Sequence, residues 1–241
     1  MPYYDHIAKQ WHAATGHRGG PFKQLVLNQA LLERIPDIDG CSILELGAGN
    51  GYFMALVLRH CSGQRPADIV ISDHSAKLLE LAQRHFRIPD AEYRLLDVCR
   101  PFAFGDGRFD LILASMVFNE VPPRGLAHAL AECRRVLSSR GRLLIAVTHP
   151  DFVESLRKRG ELKRAPGGPL TMPGSGSLRL PIVIRHVQEY RGTLSACGFT
   201  FTEAELFPTE EVLNTKPGLR HLSRTPLALV FECTPRTDSL P

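Results

Sequence analysis

The sequence predicts an α/β fold with a mainly parallel sheet and helices on both of its faces. Three observations carry that prediction. Strand-length apolar segments and amphipathic segments alternate from residue 42 to residue 148. A glycine-rich turn joins the first strand to the helix after it, and two further strand-like segments follow at 199–207 and 227–233.

Size and composition agree with one such domain. The 241 residues, 44% of them hydrophobic and 22% charged, can fill a sizeable core. A formal net charge of +4 is too small to imply a polyanionic partner by itself. The six cysteines lie far apart with no C-x-x-C pair, which points to reduced thiols in a cytoplasmic protein rather than a metal or redox site. The start of the chain has no basic segment followed by an apolar core, so no secretory leader is expected. No apolar run is long enough to span a bilayer, and no membrane association is expected.

Taken in order, residues 4–12 mix aromatic and charged side chains and read as a short helix. Flexible Gly16-His17-Arg18-Gly19-Gly20 follows. Pro21 suits a first helical turn, and Phe22, Leu25, Val26 and Leu32 continue at helical spacing. Segments 42–46, 67–72, 92–96, 110–115 and 142–148 read as strands; 52–60, 75–86 and 123–137 read as the helices between them. Residues 138–141 end the last of these helices. Beyond Pro150 the pattern loosens: a short helix at 152–159, a long Gly- and Pro-rich loop at 165–177, a strand at 178–184 and a helix at 187–196. The predicted organisation is one domain, with an N-terminal helical part (1–40), a core (41–150), an insertion over the strand ends (151–185) and a closing helix and strands (186–241).

The chemistry concentrates in Ile43-Leu44-Glu45-Leu46-Gly47-Ala48-Gly49-Asn50-Gly51-Tyr52. Glycines let a backbone approach a ligand closely, and the helix that follows offers free N–H donors. A dinucleotide fingerprint requires a glycine where Tyr52 stands, and Glu45 in the strand would repel a pyrophosphate. That carboxylate suits a cationic amine instead. Asp73 ends the second strand about twenty residues on, where an acid can accept hydrogen bonds from both ribose hydroxyls. Asp97 ends the third strand, where it can accept from an adenine amino group while Val98 supplies backbone.

With these residues the sequence resembles the class I S-adenosylmethionine-dependent methyltransferases. The matching pieces are Glu45 to Gly51, Ser72-Asp73-His74-Ser75, Leu96-Asp97-Val98, Phe109 to Ser115, and Ala131 to Leu137 with Gly141 to Ile145. The resemblance implies a Rossmann-like, seven-stranded, mostly parallel sheet whose last strand is antiparallel. It also implies S-adenosylmethionine as cofactor, held by Glu45, Gly47, Gly49, Asn50, Asp73, His74, Asp97, Val98, Ala114 and Ser115. Tyr3-Tyr4 and Trp11-His12 of the N-terminal lid would close over its sulfonium, because aromatic faces suit cations, although for Trp11 apolar packing of the first helix is the stronger reading. Two departures stand out: Ser139-Arg140-Gly141 replaces a common Pro-Gly-Gly turn, and Asn119-Glu120 stands where small-molecule members often carry histidines.

Such a reaction needs no metal, only an aligned acceptor and, where a proton must leave, a base. His149, in Thr148-His149-Pro150 beyond the fifth strand, is the expected base, with Asn119 and Glu120 orienting the acceptor. His186 and Glu189 are further candidates, with a helix-start role equally open. The expected acceptor is a small molecule methylated at oxygen or nitrogen. The basic run Arg157-Lys158-Arg159 with Lys163-Arg164 beside the insertion would suit an anionic one. An RNA acceptor is disfavoured by the lack of aromatic residues among the basic clusters. A peptide acceptor and a non-catalytic module on the cofactor fold are the alternatives.

Overall fold

The computed structural model describes residues 3–164, 166–215 and 217–236. Met1 and Pro2, where the leaderless start was read, and Ala165, the first residue of the expected loop, lie outside the described residues. The chain begins with α1 (Tyr3–Thr15). A helical stretch at 21–32 follows, π-helical over Lys23–Leu27 and ending as α2 (Asn28–Leu32). Next come β1 (Ser42–Leu46), α3 (Tyr52–His60), β2 (Asp68–Asp73), α4 (Ala76–His85), β3 (Glu92–Leu95), β4 (Phe109–Ser115), α5 (Pro123–Val136) and β5 (Leu137–Thr148). After α6 (Pro150–Lys158) and three short strands, β6 (Lys163–Arg164), β7 (Leu170–Pro173) and β8 (Arg179–Pro181), the chain continues as α7 (Val187–Ala196), β9 (Phe199–Leu206), α8 (Glu210–Thr215) and β10 (Ala228–Pro235).

The main sheet has the order β3-β2-β1-β4-β5-β10-β9. Strands β1 to β5 pair in parallel, and β10 is antiparallel to both β5 and the edge strand β9. This is the seven-stranded Rossmann-like arrangement. Alternation along each strand divides the core in two. Leu44, Leu46, Ile112, Leu143 and Ile145 face α5 and α7, while Ile43, Ile71, Leu111 and Leu144 face α2, α3 and α4.

Two local expectations are corrected. Residues 138–141 do not end a helix; they already lie in β5. Leu137 leaves α5 in extended conformation and pairs with Phe109, and an irregularity restores the register at Leu111 and Arg142. The 165–177 segment is not simply a loop either, because β6, β7 and β8 form a small antiparallel sheet around it. Neither α8 nor the 3₁₀ turn Pro217–Leu222 is visible as a period in the sequence, being one or two turns long. Among the described residues no helix is long and apolar enough to cross a membrane.

Candidate cofactor and acceptor site

The site starts at the carboxyl end of β1. Gly47 and Gly49 have φ of 62° and 60°, a region that glycine enters without steric cost. A Cβ on Gly47 would lie 2.4 Å from Val117 Cγ2, and one on Gly49 3.1 Å from Trp11 Nε1. The loop is fastened to the next strand: the Gly49 amide donates to Asp73 Oδ2 at 2.8 Å, and the Ser75 amide to Asp73 Oδ1 at 2.9 Å. Ser75 in turn caps α4 by accepting from the Leu78 amide. Burial raises the Asp73 carboxyl, and those backbone donors oppose the shift.

A cavity of about 580 Å³ opens over these strand ends, where an open α/β sheet places its ligands. Of the residues expected to meet the cofactor, Tyr4, Gly47, Asp73, His74, Asp97, Val98 and Ser115 line it. Gly49, Asn50 and Ala114 are not part of its wall. Asn50 is fully buried and instead ties α1 to the glycine loop, its Nδ2 lying 3.0 Å from both His12 Nδ1 and the Gly16 carbonyl oxygen. Asp97 is exposed at the rim and accepts from the Cys99 amide at 2.9 Å.

Glu45 also stands behind the wall rather than in it. It is 3% exposed, and burial pushes its carboxyl up to about 8 although the Met54 amide and Lys23 favour the charged form. Lys23 does line the cavity, and its ammonium lies 5.3 Å from the centre of the nearest Trp11 ring and 5.1 Å from that of Tyr52. Burial lowers this amine to about 8, against the pull of Glu45, Glu120 and Asp73. Sequence reasoning missed Lys23. Its only signal is a lone lysine on a helix among the apolar Phe22, Leu25 and Val26.

On the acceptor side, Glu120 and Asn119 line the cavity and His149 does not. The Tyr4 hydroxyl donates to Glu120 Oε1, joining residues 116 positions apart. Burial raises the Glu120 carboxyl to about 8, the Tyr4 hydrogen bond and Lys23 pulling it down. Asn119 accepts from the Thr148 amide at 2.8 Å and so locks the ends of β4 and β5 together. The expected base His149 is instead the N-cap of α6: Nδ1 accepts from the Asp151 amide at 3.1 Å, and Nε2 lies 3.3 Å from Glu205. The proline after it starts the helix and fixes the imidazole in that role. His186 and Glu189 do not line the cavity either. Glu189 pairs with Arg185, another residue the sequence reading passed over, whose buried guanidinium donates to the Phe118 and Val121 carbonyls.

The insertion supplies Met172, Gly174, Leu178 and Leu180 to the wall, while α6 adds Phe152 and α8 adds Val212. The basic run near it does not take part. Arg157 pairs with Glu154 and Arg159 with Glu161 on the outside.

A doubly wound sheet of this strand order, with a glycine loop and acidic strand ends beside a cavity, defines the class I, Rossmann-like architecture. Residues 43–141 match the family model described as a methyltransferase domain. Among curated proteins, the demethylmenaquinone methyltransferase of Thermotoga maritima is 32% identical over 115 residues, 48% of this chain and 47% of that one. A highly reducing polyketide synthase of Aspergillus sclerotiorum is 29% identical over 152 residues, 60% of this chain and 6% of its own. The chain thus spans less than half the length of either relative. Among solved structures, an S-adenosylmethionine dependent methyltransferase from Mesorhizobium loti superposes with a TM-score of 0.67 at 20% identity, covering 89% of this chain and 98% of that one. Residues 43–141 thus resemble a methyltransferase domain, and the chain shares the fold of the solved methyltransferase.

Proposed function

We propose that the protein transfers the methyl group of S-adenosylmethionine to an oxygen or nitrogen of a small-molecule acceptor, with Glu120 as the base. The observation that carries this reading is one cavity lined both by Gly47 and Asp73 and by the Tyr4–Glu120 pair. The residues fit the cofactor. Trp11 Nε1 and Ser115 Oγ in the wall, and Glu45 Oε2 behind it, are buried polar atoms without a partner in the protein, and the bare backbone of Gly47 lines the same cavity. Gly47, Ser115 and Asp73 would hold the nucleoside, with Asp97 and Val98 at its base. Lys23 would meet the carboxylate of the amino-acid end, and Tyr4 and Trp11 would face the sulfonium.

When bound, the cofactor would supply an electrophilic methyl carbon on a sulfonium, with a neutral thioether as leaving group. The chain's own residues do the rest. Holding the acceptor in line is worth roughly 7–11 kcal/mol of barrier in favourable cases. Glu120 receives the acceptor's proton, and Tyr4 donates to the same carboxylate and fixes its direction. The helical lid α1 and the β7–β8 hairpin both contribute to the wall around the acceptor.

The outward ion pairs of the basic residues support a small acceptor over a polyanion, since a nucleic acid would need those charges free. Calorimetry with S-adenosylhomocysteine tests the cofactor half of the reading. Binding is expected for the native protein, and weakening of at least about tenfold for Asp73→Ala, which loses the ribose acceptor. Incubation with methyl-labelled cofactor and fractionated cell extract, read by mass spectrometry, tests the acceptor half. Label on a small molecule supports it, and label confined to RNA or protein overturns it.

A further inference from the structure

The cavity wall is mostly apolar, and the insertion and the closing elements supply much of that apolar part. Phe22, Phe152, Met172, Leu180, Val212 and Leu227 come from five separate parts of the chain and converge on it. The cations nearest in sequence turn away. Arg179 donates to the Glu161 and Thr171 carbonyls at 2.7 Å within its own small sheet, and Arg157 and Arg159 are held by carboxylates outside. Among the described residues, Lys23 is the one lysine or arginine in the wall, and the lining carboxylates Asp73 and Glu120 already act on it. A second anion entering this space would meet Glu120 with no free cation to compensate it, and burying an unpaired charge is costly.

We propose that the acceptor is an uncharged, largely apolar molecule that presents a hydroxyl of the phenol or enol kind to Glu120, and that anionic acceptors are rejected. The inference rests on the methyl-transfer reading and narrows it. A hydroxyl enters neutral, so its desolvation among these side chains costs little. It then donates to the Glu120 oxygen that Tyr4 leaves free. In the transfer its oxygen lone pair forms the new bond to the methyl carbon, the old carbon–sulfur pair stays on sulfur, and the hydroxyl proton passes to Glu120. A protonated amine has no lone pair to offer until it loses a proton, and must shed its hydration against apolar walls first. The two methionines in the wall, Met116 and Met172, adapt to ring or chain shapes alike.

The test uses the full chain with S-adenosylhomocysteine bound, and three probes on one ring system: 1-naphthol, 1-naphthylmethylamine, which is protonated at neutral pH, and 4-hydroxy-1-naphthoate. Calorimetry is expected to show 1-naphthol binding at least about tenfold more tightly than the carboxylate, the cost of an uncompensated buried charge. Met172→Lys, which places a cation in the apolar wall, should reverse that order, and Glu120→Gln should narrow it. Equal or tighter binding of the carboxylate or of the amine by the native protein overturns the proposal. So does binding of none of the three when S-adenosylhomocysteine itself binds. Failure of S-adenosylhomocysteine to bind strikes at the methyl-transfer reading instead.

Discussion

As the proposed base, Glu120 would meet two demands that pull against each other, since a base must be ionised to accept a proton, yet burial here favours the neutral carboxyl. With its carboxyl raised to about 8, the fraction in base form grows across the neutral range. Turnover should therefore rise with pH and level off above about 8, and Glu120→Gln should abolish that rise and lower kcat by about 10²–10⁴-fold. A flat profile in the native protein would remove Glu120 from the role. Arg185 acts on the same residue at one remove. It is 3% exposed and holds the carbonyls of Phe118 and Val121, which bracket Asn119 and Glu120. Arg185→Lys keeps the charge but loses the fork. It should lower kcat about 10–100-fold by loosening that loop, while the affinity for S-adenosylhomocysteine stays unchanged. Equal losses in both, with a lower melting temperature, would make Arg185 merely structural.

Helix α1 is held by contacts at both ends. Asp5 accepts from the Ser75 hydroxyl at 2.5 Å at the start of α4, and Asn50 grips His12 and the Gly16 carbonyl at the other end. Between them Tyr4 and Trp11 meet edge to face, 5.6 Å apart, above the cavity. The insertion reaches the same lid, as the Tyr3 hydroxyl donates to the Arg179 carbonyl at 3.0 Å and Ser175 abuts Gly20. Removing residues 1–20 discards several hydrogen bonds of about 0.5–1.5 kcal/mol each, together with two aromatic walls. Affinity for S-adenosylhomocysteine should fall by about 10–100-fold in titrations of the truncated chain. Unchanged affinity and turnover would show that the element covers nothing of consequence.

At the scale of the whole molecule, the buried titratable groups set a pH signature for stability. Glu45 and Glu120 are raised to about 8 from carboxylate values near 4.5, so the folded state binds their protons more tightly than the unfolded chain does. Their contribution is full below about 4.5 and is lost as pH climbs through 8. Lys23 is lowered to about 8 from 10.5, so its penalty is relieved between those two values. Glu132, paired with Arg135 and lowered to about 2, contributes above 4.5 and loses that contribution as pH falls toward 2. Calorimetric melting across pH should therefore show a midpoint that declines from about pH 5 to 8 and recovers above it. A midpoint rising steadily from 5 to 8 would contradict these assignments.

The order of strands, the glycine turn and the acid ending β2 were legible in the sequence because each depends on a few neighbouring residues. Side-chain alternation and left-handed glycines are local properties, and β1, α3 and α7 fall where the spacing puts them. The partners of those elements were decided only in three dimensions. His149 read as the base and Glu120 as a group orienting the acceptor, yet packing turned the first into a helix cap and set the second against Tyr4 from a distant part of the chain. Lys23 had no motif to announce it, and the insertion's basic run gave no hint that its apolar residues would face inward. Backbone conformation is written within a turn or two of sequence, whereas a cavity's chemistry belongs to side chains that meet only after the sheet has closed.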